Sequence, residues 1–239
     1  MISLTKPVTP SSRSTGIDIL DKKLDGGLPE GSLVCIYANP ISMPEAFLYQ
    51  FATVVKTFYF ITSRPAKFVK ENIENMGLSA DKIEFIDVFT QYYMNEYGQF
   101  VIVDRYRDKD IFDFIDHHLN RIQENKGKFN VIFDSISFFL KLDVPLGLKE
   151  WLINKLYIQS KQTNNVYYIY LMKNVHPIDI VNMVLDVSDV VFDIDTERVG
   201  DRMSSRLAIP KIRDKTPMLE TFKFYISEGV QIDTSRDIA

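Results

Sequence analysis

Continuous apolar runs alternate with amphipathic segments along the first three quarters of the chain. Five runs have the length and apolar content of strands buried on both faces of a sheet, at 32–38, 57–62, 82–88, 129–134 and 166–172. Helices are predicted around these runs, at 17–24, 45–55, 66–76, 109–124 and 146–159. Strands that alternate with helices in this way predict an α/β fold with a mostly parallel central sheet flanked by helices.

The pattern changes after Asp186, where short apolar segments follow one another with little chain between them. We expect strands there that pair as antiparallel hairpins, at 190–196, 206–212, 219–226 and 230–233. A further short strand is expected at 100–103, after an irregular aromatic loop at 91–99. Residues 1–14 are polar and contain two prolines, so they are predicted to form an extended arm before a single domain at 15–239.

Composition narrows the class of protein. The 239 residues fit one large α/β domain, and the net charge of −4 argues against a broad basic surface that would hold nucleic acid. Cys35 is the single cysteine, which excludes an intramolecular disulfide framework and a cysteine-rich zinc site. Residues 1–14 do not resemble a signal peptide, and no segment has the length of a membrane span. We therefore expect a cytoplasmic protein that does not insert into a membrane.

Three stretches carry a family resemblance. The first holds Ser-Thr-Gly-Ile at 14–17, Leu-Asp at 20–21 and Gly-Gly-Leu-Pro-Glu-Gly-Ser at 26–32. The second is an apolar strand that ends in Asp134-Ser135, and the third joins Pro-Lys-Ile-Arg-Asp at 210–214 to Glu-Gly-Val at 228–230. Their order and spacing, from Ser14 to Asp233, resemble the KaiC-like branch of the RecA superfamily, the group of the archaeal KaiC and FlaH-type ATPase domains. This resemblance implies a RecA-like fold.

The phosphate-binding loop of that family is degenerate in this sequence. A working loop reads G-x-x-x-x-G-K-[ST] between a strand and a helix. The matching window consists of Ala38, Asn39, Pro40, Ile41, Ser42, Met43, Pro44 and Glu45. Glycine positions hold larger residues, Pro44 stands where the phosphate-binding lysine belongs, and Glu45 replaces the hydroxyl that ligates magnesium. We therefore expect no ATPase activity and no resident cofactor, with ATP or ADP and Mg²⁺ binding only in an atypical mode.

The same residues permit a local structural interpretation. Ser42 and Glu45 have the S-x-x-E spacing of a capping box, in which each side chain would bond to the other residue's backbone N–H. A proline is tolerated in the first turn of a helix. We expect a helix that caps itself where the family binds phosphate.

Two other family positions also bear on catalysis. The resemblance implies acidic residues after the second core strand, but Ser63 and Arg64 stand there and neither is a general base near neutral pH. Asp134 matches the Walker B aspartate and would bind magnesium through water or, as we favour, cap the turn after its strand. The sequence thus lacks the expected chemistry at two separate places.

Lys211 and Arg213 also match the family. The resemblance implies that such residues reach the phosphate of a neighbouring subunit, as an arginine finger does, so they are candidates for serving an active partner in a mixed oligomer. The alternative, favoured slightly on general frequency, is a solvated basic strand edge. Asp214 replaces a family glycine in the following turn.

The remaining polar and aromatic features have weaker implications. His117 and His118 are adjacent on a predicted helix, which is a poor arrangement for one metal, and we expect no metal site. An aromatic group is suited to stacking bases, docking a protein, or, more commonly, anchoring a loop on the core, and it consists of Phe89, Tyr92, Tyr93, Tyr97 and Phe100.

The leading hypothesis is an inactive RecA-like pseudo-ATPase that acts as a regulator or scaffold through protein contacts. Its partner would be an active paralog or a second copy, and the family analogy suggests archaeal signalling or motility. One alternative is a sensor that binds a nucleotide without hydrolysing it. Another is a recombination mediator associated with nucleic acid, for which Lys141 and Lys173 are the only obvious basic candidates and give no strong signal.

Overall fold

The computed structural model describes residues 11–213 and 218–233 as an α/β fold with eleven strands and eight helices among those residues. The strands are β1 (Ser12–Arg13), β2 (Leu28–Pro29), β3 (Leu33–Ala38), β4 (Lys56–Ile61), β5 (Ile83–Asp87), β6 (Phe129–Phe133), β7 (Val166–Met172), β8 (Val190–Val199), β9 (Arg202–Ile212), β10 (Met218–Ser227) and β11 (Gly229–Asp233). The helices are α1 (Asp18–Lys23), α2 (Glu45–Ala52), α3 (Ala66–Asn75), α4 (Val88–Tyr93), α5 (Arg105–Gln123), α6 (Ile136–Lys141), α7 (Leu146–Thr163) and α8 (Ile178–Val187).

Nine of these strands form one sheet in the order β11-β10-β9-β8-β3-β7-β6-β4-β5. The strands from β3 to β8 pair with one another in parallel. Strand β8 is the point of change, since it pairs in parallel with β3 and antiparallel with β9, and β10 and β11 continue as antiparallel hairpins. The predicted mostly parallel sheet with antiparallel C-terminal strands is confirmed.

Two apolar cores lie on opposite faces of the sheet. Successive residues of a strand point to opposite faces, so Val34 packs in one core and Cys35 in the other. Helices α1, α2 and α3 cover the first face, and helices α4 to α8 cover the second. Because both faces are buried, the central strands read as unbroken apolar runs.

Three helices were not predicted from the sequence: α4, α6 and α8. Helix α4 begins at the last residue of the strand predicted at 82–88 and extends into the loop expected at 91–99. The Asp87 side chain accepts a hydrogen bond from the N–H of Thr90 at 2.8 Å and caps its first turn. The strand predicted at 100–103 does not form, and a single bridge joins Met94 to Phe100 instead. Short aromatic and β-branched segments favour strands by composition, and here tertiary packing decides otherwise.

The described end of the predicted N-terminal arm packs against the domain. Residues 1–10 lie outside the described residues, but Ser12–Arg13 pairs with Leu28–Pro29. The Arg13 side chain is buried and donates to Phe129 O at 2.8 Å and Asn130 Oδ1 at 2.6 Å. The end of the predicted arm is therefore part of the packed domain, at the edge where β6 begins.

Close backbone packing explains why glycine is needed in the Gly26-Gly27 pair that precedes β2. Gly27 has a φ of 119°, and a Cβ built on it would lie 2.1 Å from the carbonyl oxygen of Arg13. Strand β1 can therefore approach the turn before β2 only when residue 27 has no side chain. Asp21 secures the same region by accepting hydrogen bonds from the backbone and hydroxyl of Thr15, both at 2.7 Å.

Candidate functional site

The loop at 38–45, which we aligned with the phosphate-binding motif, lies at the carboxyl end of β3, where open α/β sheets place their ligands. Asn39 leaves β3 in an extended conformation and is followed by a 3₁₀ turn, Pro40–Ser42. Met43 then adopts the left-handed conformation, with φ 50° and ψ 52°, and Pro44 leads into α2. The position where the family has glycine thus keeps a backbone shape that favours glycine, although a methionine occupies it.

Three backbone N–H groups of the loop donate hydrogen bonds to oxygens of the protein itself. The N–H of Ser42 donates to Asn39 O at 2.9 Å, that of Ile41 to Asn39 Oδ1 at 3.2 Å, and that of Asn39 to Ile194 O at 3.3 Å. Pro40 and Pro44 have no N–H to offer. A phosphate cradle needs convergent free N–H groups, and these residues of the loop do not provide them.

The predicted capping box does not form. Neither the Ser42 nor the Glu45 side chain makes a capping hydrogen bond to α2, and the Ser42 hydroxyl is buried without a protein partner. The left-handed Met43 redirects the backbone between the two residues, so the spacing alone did not fix the geometry. The side-chain cap that does form comes from Asn39 and belongs to the 3₁₀ turn.

Lys173 does not supply a free cation at the loop in place of the motif's lysine. Lys173 follows β7, and its N–H donates to Ala38 O at 2.9 Å, next to the loop. Its ammonium group, however, donates to both Asp193 and Asp195. Burial pulls the pKa of Lys173 down, but these two carboxylates outweigh burial and leave the pKa raised. Lys173 is therefore charged and already paired.

Tyrosine rings fill the floor under the start of α2. Tyr59 of β4 and Tyr170 of β7 are buried on the sheet face that α2 covers, and their hydroxyls meet no protein partner among the described residues. Burial raises the pKa of both phenols, so both stay protonated at neutral pH. The strand pattern marked these tyrosines only as core. Side chains alternate between the two faces of a sheet along each strand. Counting from the strand ends could therefore have placed both tyrosines on the face that α2 covers.

Four side chains surround the position where the family's chemistry takes place. Tyr49, one turn into α2, has its pKa raised by burial, and it also feels the positive charge of Arg64 and the negative charges of Glu45 and Asp134. Arg64 is the residue that stands where the family places an acid. The group contains two carboxylates and one guanidinium but no nucleophile beside a base, so it has no evident catalytic arrangement.

Asp134, at the end of β6, is hydrogen-bonded to the residues that follow β4. Its Oδ1 accepts from the N–H and the hydroxyl of Thr62, at 2.9 and 2.6 Å, and its Oδ2 accepts from Ser63 Oγ at 3.1 Å. Burial raises the pKa of Asp134, and the bonds from Thr62 and Ser63 oppose this rise. The carboxylate therefore joins the end of β6 to the end of β4, whereas the role that we favoured from sequence was to cap the turn after its own strand.

Lys211 and Arg213 lie at the opposite edge of the sheet from the loop. Lys211 donates to the carbonyls of Leu185 and Asp186, both at 2.8 Å, and Arg213 forms an ion pair with Asp189 at 3.0 Å. Both cations sit at the C-terminal end of α8, where positive charge is favourable. They do not reach the loop of their own chain. Both bond to the end of α8, and Lys211 is half-buried whereas Arg213 is exposed.

The other predicted residues separate into buried and exposed sets. Tyr92 is buried and donates to Asp108, and the Phe89 and Tyr93 rings lie 4.9 Å apart, whereas Tyr97 and Phe100 are exposed. The predicted aromatic group is thus split between a loop anchor and an open surface.

His117 and His118, adjacent on α5, differ in burial. His118 packs against the Phe114 ring, with 4.5 Å between ring centroids, while His117 is exposed. Burial lowers the pKa of His118. Across residues 11–213 and 218–233, no cluster of three or more potential metal ligands is present, and no helix has the length and apolar character to cross a membrane.

The comparisons with known proteins agree with this architecture. A family model described as "Family of unknown function (DUF7125)" matches residues 12–239. The chain belongs to this family. No curated protein sequence matches the chain. Among solved structures, it is similar to the KaiC-like protein PH0186 from the hyperthermophilic archaeon Pyrococcus horikoshii OT3, with a TM-score of 0.71 and 14% identity over 94% of this chain and 100% of that one. At this identity the likeness shows the KaiC-like, RecA-like fold alone.

Proposed function

We propose that this member of DUF7125 is a RecA-like pseudo-ATPase that works as a regulator or scaffold through protein contacts. The observation that carries this proposal is the internal hydrogen bonding of the loop after β3. Its N–H groups at Asn39, Ile41 and Ser42 already donate to protein oxygens, and prolines occupy two further positions. A nucleotide would have to break these bonds to bind as it does in the phosphate-binding loop of a KaiC-like ATPase.

The charges around the loop support the same conclusion. A polyphosphate carries several negative charges and is normally bound by a lysine, by magnesium and by a helix N-terminus. Here Glu45 opens α2, Asp134 is held by Thr62, and Lys173 is held by two aspartates. Arg64 adds one positive charge beside the two negative charges of Glu45 and Asp134, so the net local charge disfavours an anion at this position.

The exposed tip of the loop is apolar instead of polar. Ile41 is 63% exposed and Met43 is 48% exposed. A loop that binds phosphate exposes small residues and backbone donors, whereas exposed aliphatic side chains suit a protein surface. This composition is the second reason to place the function in protein contacts.

Nucleic-acid binding has less support. Lys173, one of the two basic candidates after the strand ends, is engaged by Asp193 and Asp195. Lys141 alone does not make a basic stripe, and counterion release requires several cations.

Calorimetry with MgATP and MgADP on the full chain tests the proposal. We expect no heat of binding and no thermal shift at millimolar nucleotide, and no release of phosphate. Asp134→Asn is the matched variant, because binding through magnesium would weaken in it while adventitious binding would not. Micromolar affinity that Asp134→Asn reduces would overturn the proposal in favour of a nucleotide sensor or an active enzyme.

A further inference from the structure

Two buried tyrosine hydroxyls lie under the start of α2 without a protein partner. Tyr59 of β4 is 0% exposed and Tyr170 of β7 is 6% exposed, and neither hydroxyl makes a hydrogen bond with a described residue. Burying a hydroxyl without a partner is unfavourable, and in native proteins such groups bond to an ordered water or an ion. The two hydroxyls therefore indicate a small polar ligand at this place.

The sheet register places the two side chains on one face, on either side of β6. Tyr59 pairs with Ile132 of β6, and Ile132 pairs with Tyr168 of β7, so Tyr170 lies two residues further toward the carboxyl end of the sheet. Both tyrosines pack in the core that α2 covers. The rings of Tyr49, on α2, and Tyr59 have their centroids 6.3 Å apart. The start of α2 thus closes over the pair.

Two carboxylates and one guanidinium act on these hydroxyls. Burial is the largest cause of the raised pKa of both phenols, and the negative charges of Glu45 and Asp134 raise it further. The positive charge of Arg64 opposes them at Tyr59. The charged groups that act on the two phenols therefore leave a net charge of −1.

The Glu45 carboxylate has no counterion in the described part of the chain. It forms no ion pair and no side-chain hydrogen bond there. Asp134 differs, because Thr62 and Ser63 already donate to its two oxygens. Glu45 is half-buried, so water screens its charge only in part. A cation beside Glu45 would compensate this charge.

We propose that Tyr59, Tyr170 and Glu45 bind a compact monovalent cation, either an alkali metal ion such as K⁺ or an ammonium ion. The two hydroxyl oxygens supply uncharged lone pairs, and the Glu45 carboxylate supplies the charge. Asp134 contributes its negative charge without coordinating the ion. The ion gives each buried hydroxyl the partner that the protein does not supply.

The donor set favours a monovalent over a divalent ion. Ca²⁺ and Mg²⁺ are held by several carboxylates, carbonyls or waters, whereas no group of three or more acidic, histidine or cysteine residues lies together in the described ranges. Uncharged oxygens suffice to bind K⁺ in proteins. One positive charge also balances the net charge of −1 at the two phenols. The site needs no phosphate, so it goes beyond the proposed pseudo-ATPase and does not depend on it.

Thermal unfolding of the full chain in different chloride salts, at matched ionic strength, tests the proposal. Tetramethylammonium chloride is the reference, because its cation is too bulky to approach two hydroxyls and a carboxylate together. In at least one of KCl, NaCl and ammonium chloride, the midpoint should rise by about 3–6 °C at ten times the dissociation constant. The highest midpoint in ammonium chloride assigns the site to an ammonium ion, and the highest in KCl or NaCl assigns it to an alkali metal ion.

Three variants remove the ligand atoms one at a time. Glu45→Gln, Tyr59→Phe and Tyr170→Phe should each weaken the cation about tenfold or more, measured as the salt concentration at half of the full midpoint rise. In tetramethylammonium chloride, both phenylalanine variants should unfold at the wild-type temperature or above it, because they lose a hydroxyl without a partner. In the favoured salt this order should reverse. A purely structural role of the hydroxyls would not depend on the cation.

Two matched variants serve as controls. Tyr168→Phe also removes a buried hydroxyl without a protein partner, but its phenol responds to the charges of Arg13 and Asp21 instead of the two carboxylates. Glu96→Gln removes an exposed carboxylate beyond the end of α4. Both should keep the cation affinity within twofold of the wild-type value. General effects of the salts act equally on all of these variants.

Anomalous diffraction from crystals grown with rubidium chloride locates the ion, since Rb⁺ resembles both K⁺ and ammonium in size. We expect a peak within coordination distance of both hydroxyls and the Glu45 carboxylate. The proposal is overturned by the absence of that peak, by equal midpoints in all salts, by a rise that survives Glu45→Gln, or by a response to MgCl₂ or CaCl₂ alone. None of these measurements contains a nucleotide, so failure here and failure of the pseudo-ATPase proposal are distinguishable.

Discussion

Thr62 and Asp134 join the ends of two neighbouring strands, since both the N–H and the hydroxyl of Thr62 donate to the same carboxylate oxygen of Asp134. The sequence resemblance to KaiC-like proteins would place their acidic residues just after Thr62 and their Walker B aspartate at Asp134. In a KaiC-like ATPase these two positions would take part in catalysis. Here their hydrogen bonds hold the end of β4 beside the end of β6. The resulting contact can be measured as a coupling energy.

A double-mutant cycle should show this coupling. Thr62→Val and Asp134→Ala should each destabilise the protein, and their interaction energy in urea unfolding should be about 1–2 kcal/mol, as expected for a hydrogen bond to a charged group. Thr62→Ser keeps the hydroxyl and should retain most of the stability. An interaction energy below about 0.5 kcal/mol would show that the two side chains act independently.

Gly27→Ala should be strongly destabilising. The new methyl would meet the backbone of Arg13, and the φ of 119° is strained for any residue with a side chain. We expect a loss of about 2–4 kcal/mol in the free energy of unfolding. The control is Gly147→Ala in α7, which has open space and ordinary backbone angles and should gain up to about 1 kcal/mol. Equal effects at both positions would contradict the steric argument.

Met43→Gly should stabilise the fold. Met43 holds a left-handed conformation that costs about 1 kcal/mol for a residue with a Cβ, and its side chain is half exposed, so little packing is lost. Thermal unfolding should show a gain of about 0.5–1 kcal/mol. Ile41→Gly, in the same loop but without a positive φ, should not gain stability. A loss at position 43 would mean that the methionine side chain contributes more than its backbone costs.

His118 should make stability depend on pH between neutrality and mild acid. Burial lowers its pKa in the folded state below the ordinary value of 6.5, so the unfolded chain binds the proton more tightly. The associated stability is present above pH 6.5 and is lost as the pH falls through the folded pKa. Urea unfolding at pH 7.5 and 5.5 should show a smaller decline for His118→Gln than for the wild type. Parallel declines would contradict this assignment.

The architecture was predictable because it depends on patterns that the chain carries locally. Strands buried on both faces, such as Val166–Met172, appear as unbroken apolar runs, and the change to hairpins after Asp186 appears as shorter spacing. Helix α8 was missed because most of its ten residues are apolar, so the helical period is hard to distinguish.

The geometry of the candidate site was not predictable from the sequence. The missing lysine and glycines can be read directly from Pro44 and Met43. The capping box was wrong because one left-handed residue, Met43, changes the direction of the chain, and spacing does not encode direction. The roles of Tyr59 and Tyr170 depend on which strands are neighbours, and sequence order does not reveal that β4 and β7 both flank β6.

Lys211 and Arg213 have a consequence for any assembly that recruits them. Withdrawing the two side chains toward another subunit would strip the carbonyls of Leu185 and Asp186 of their donors. The last turn of α8 would then fray, and the amides of residues 185–188 would exchange with solvent more quickly. Subunit contact at this edge would therefore be detected as faster hydrogen–deuterium exchange at the end of α8, which lies away from the loop after β3.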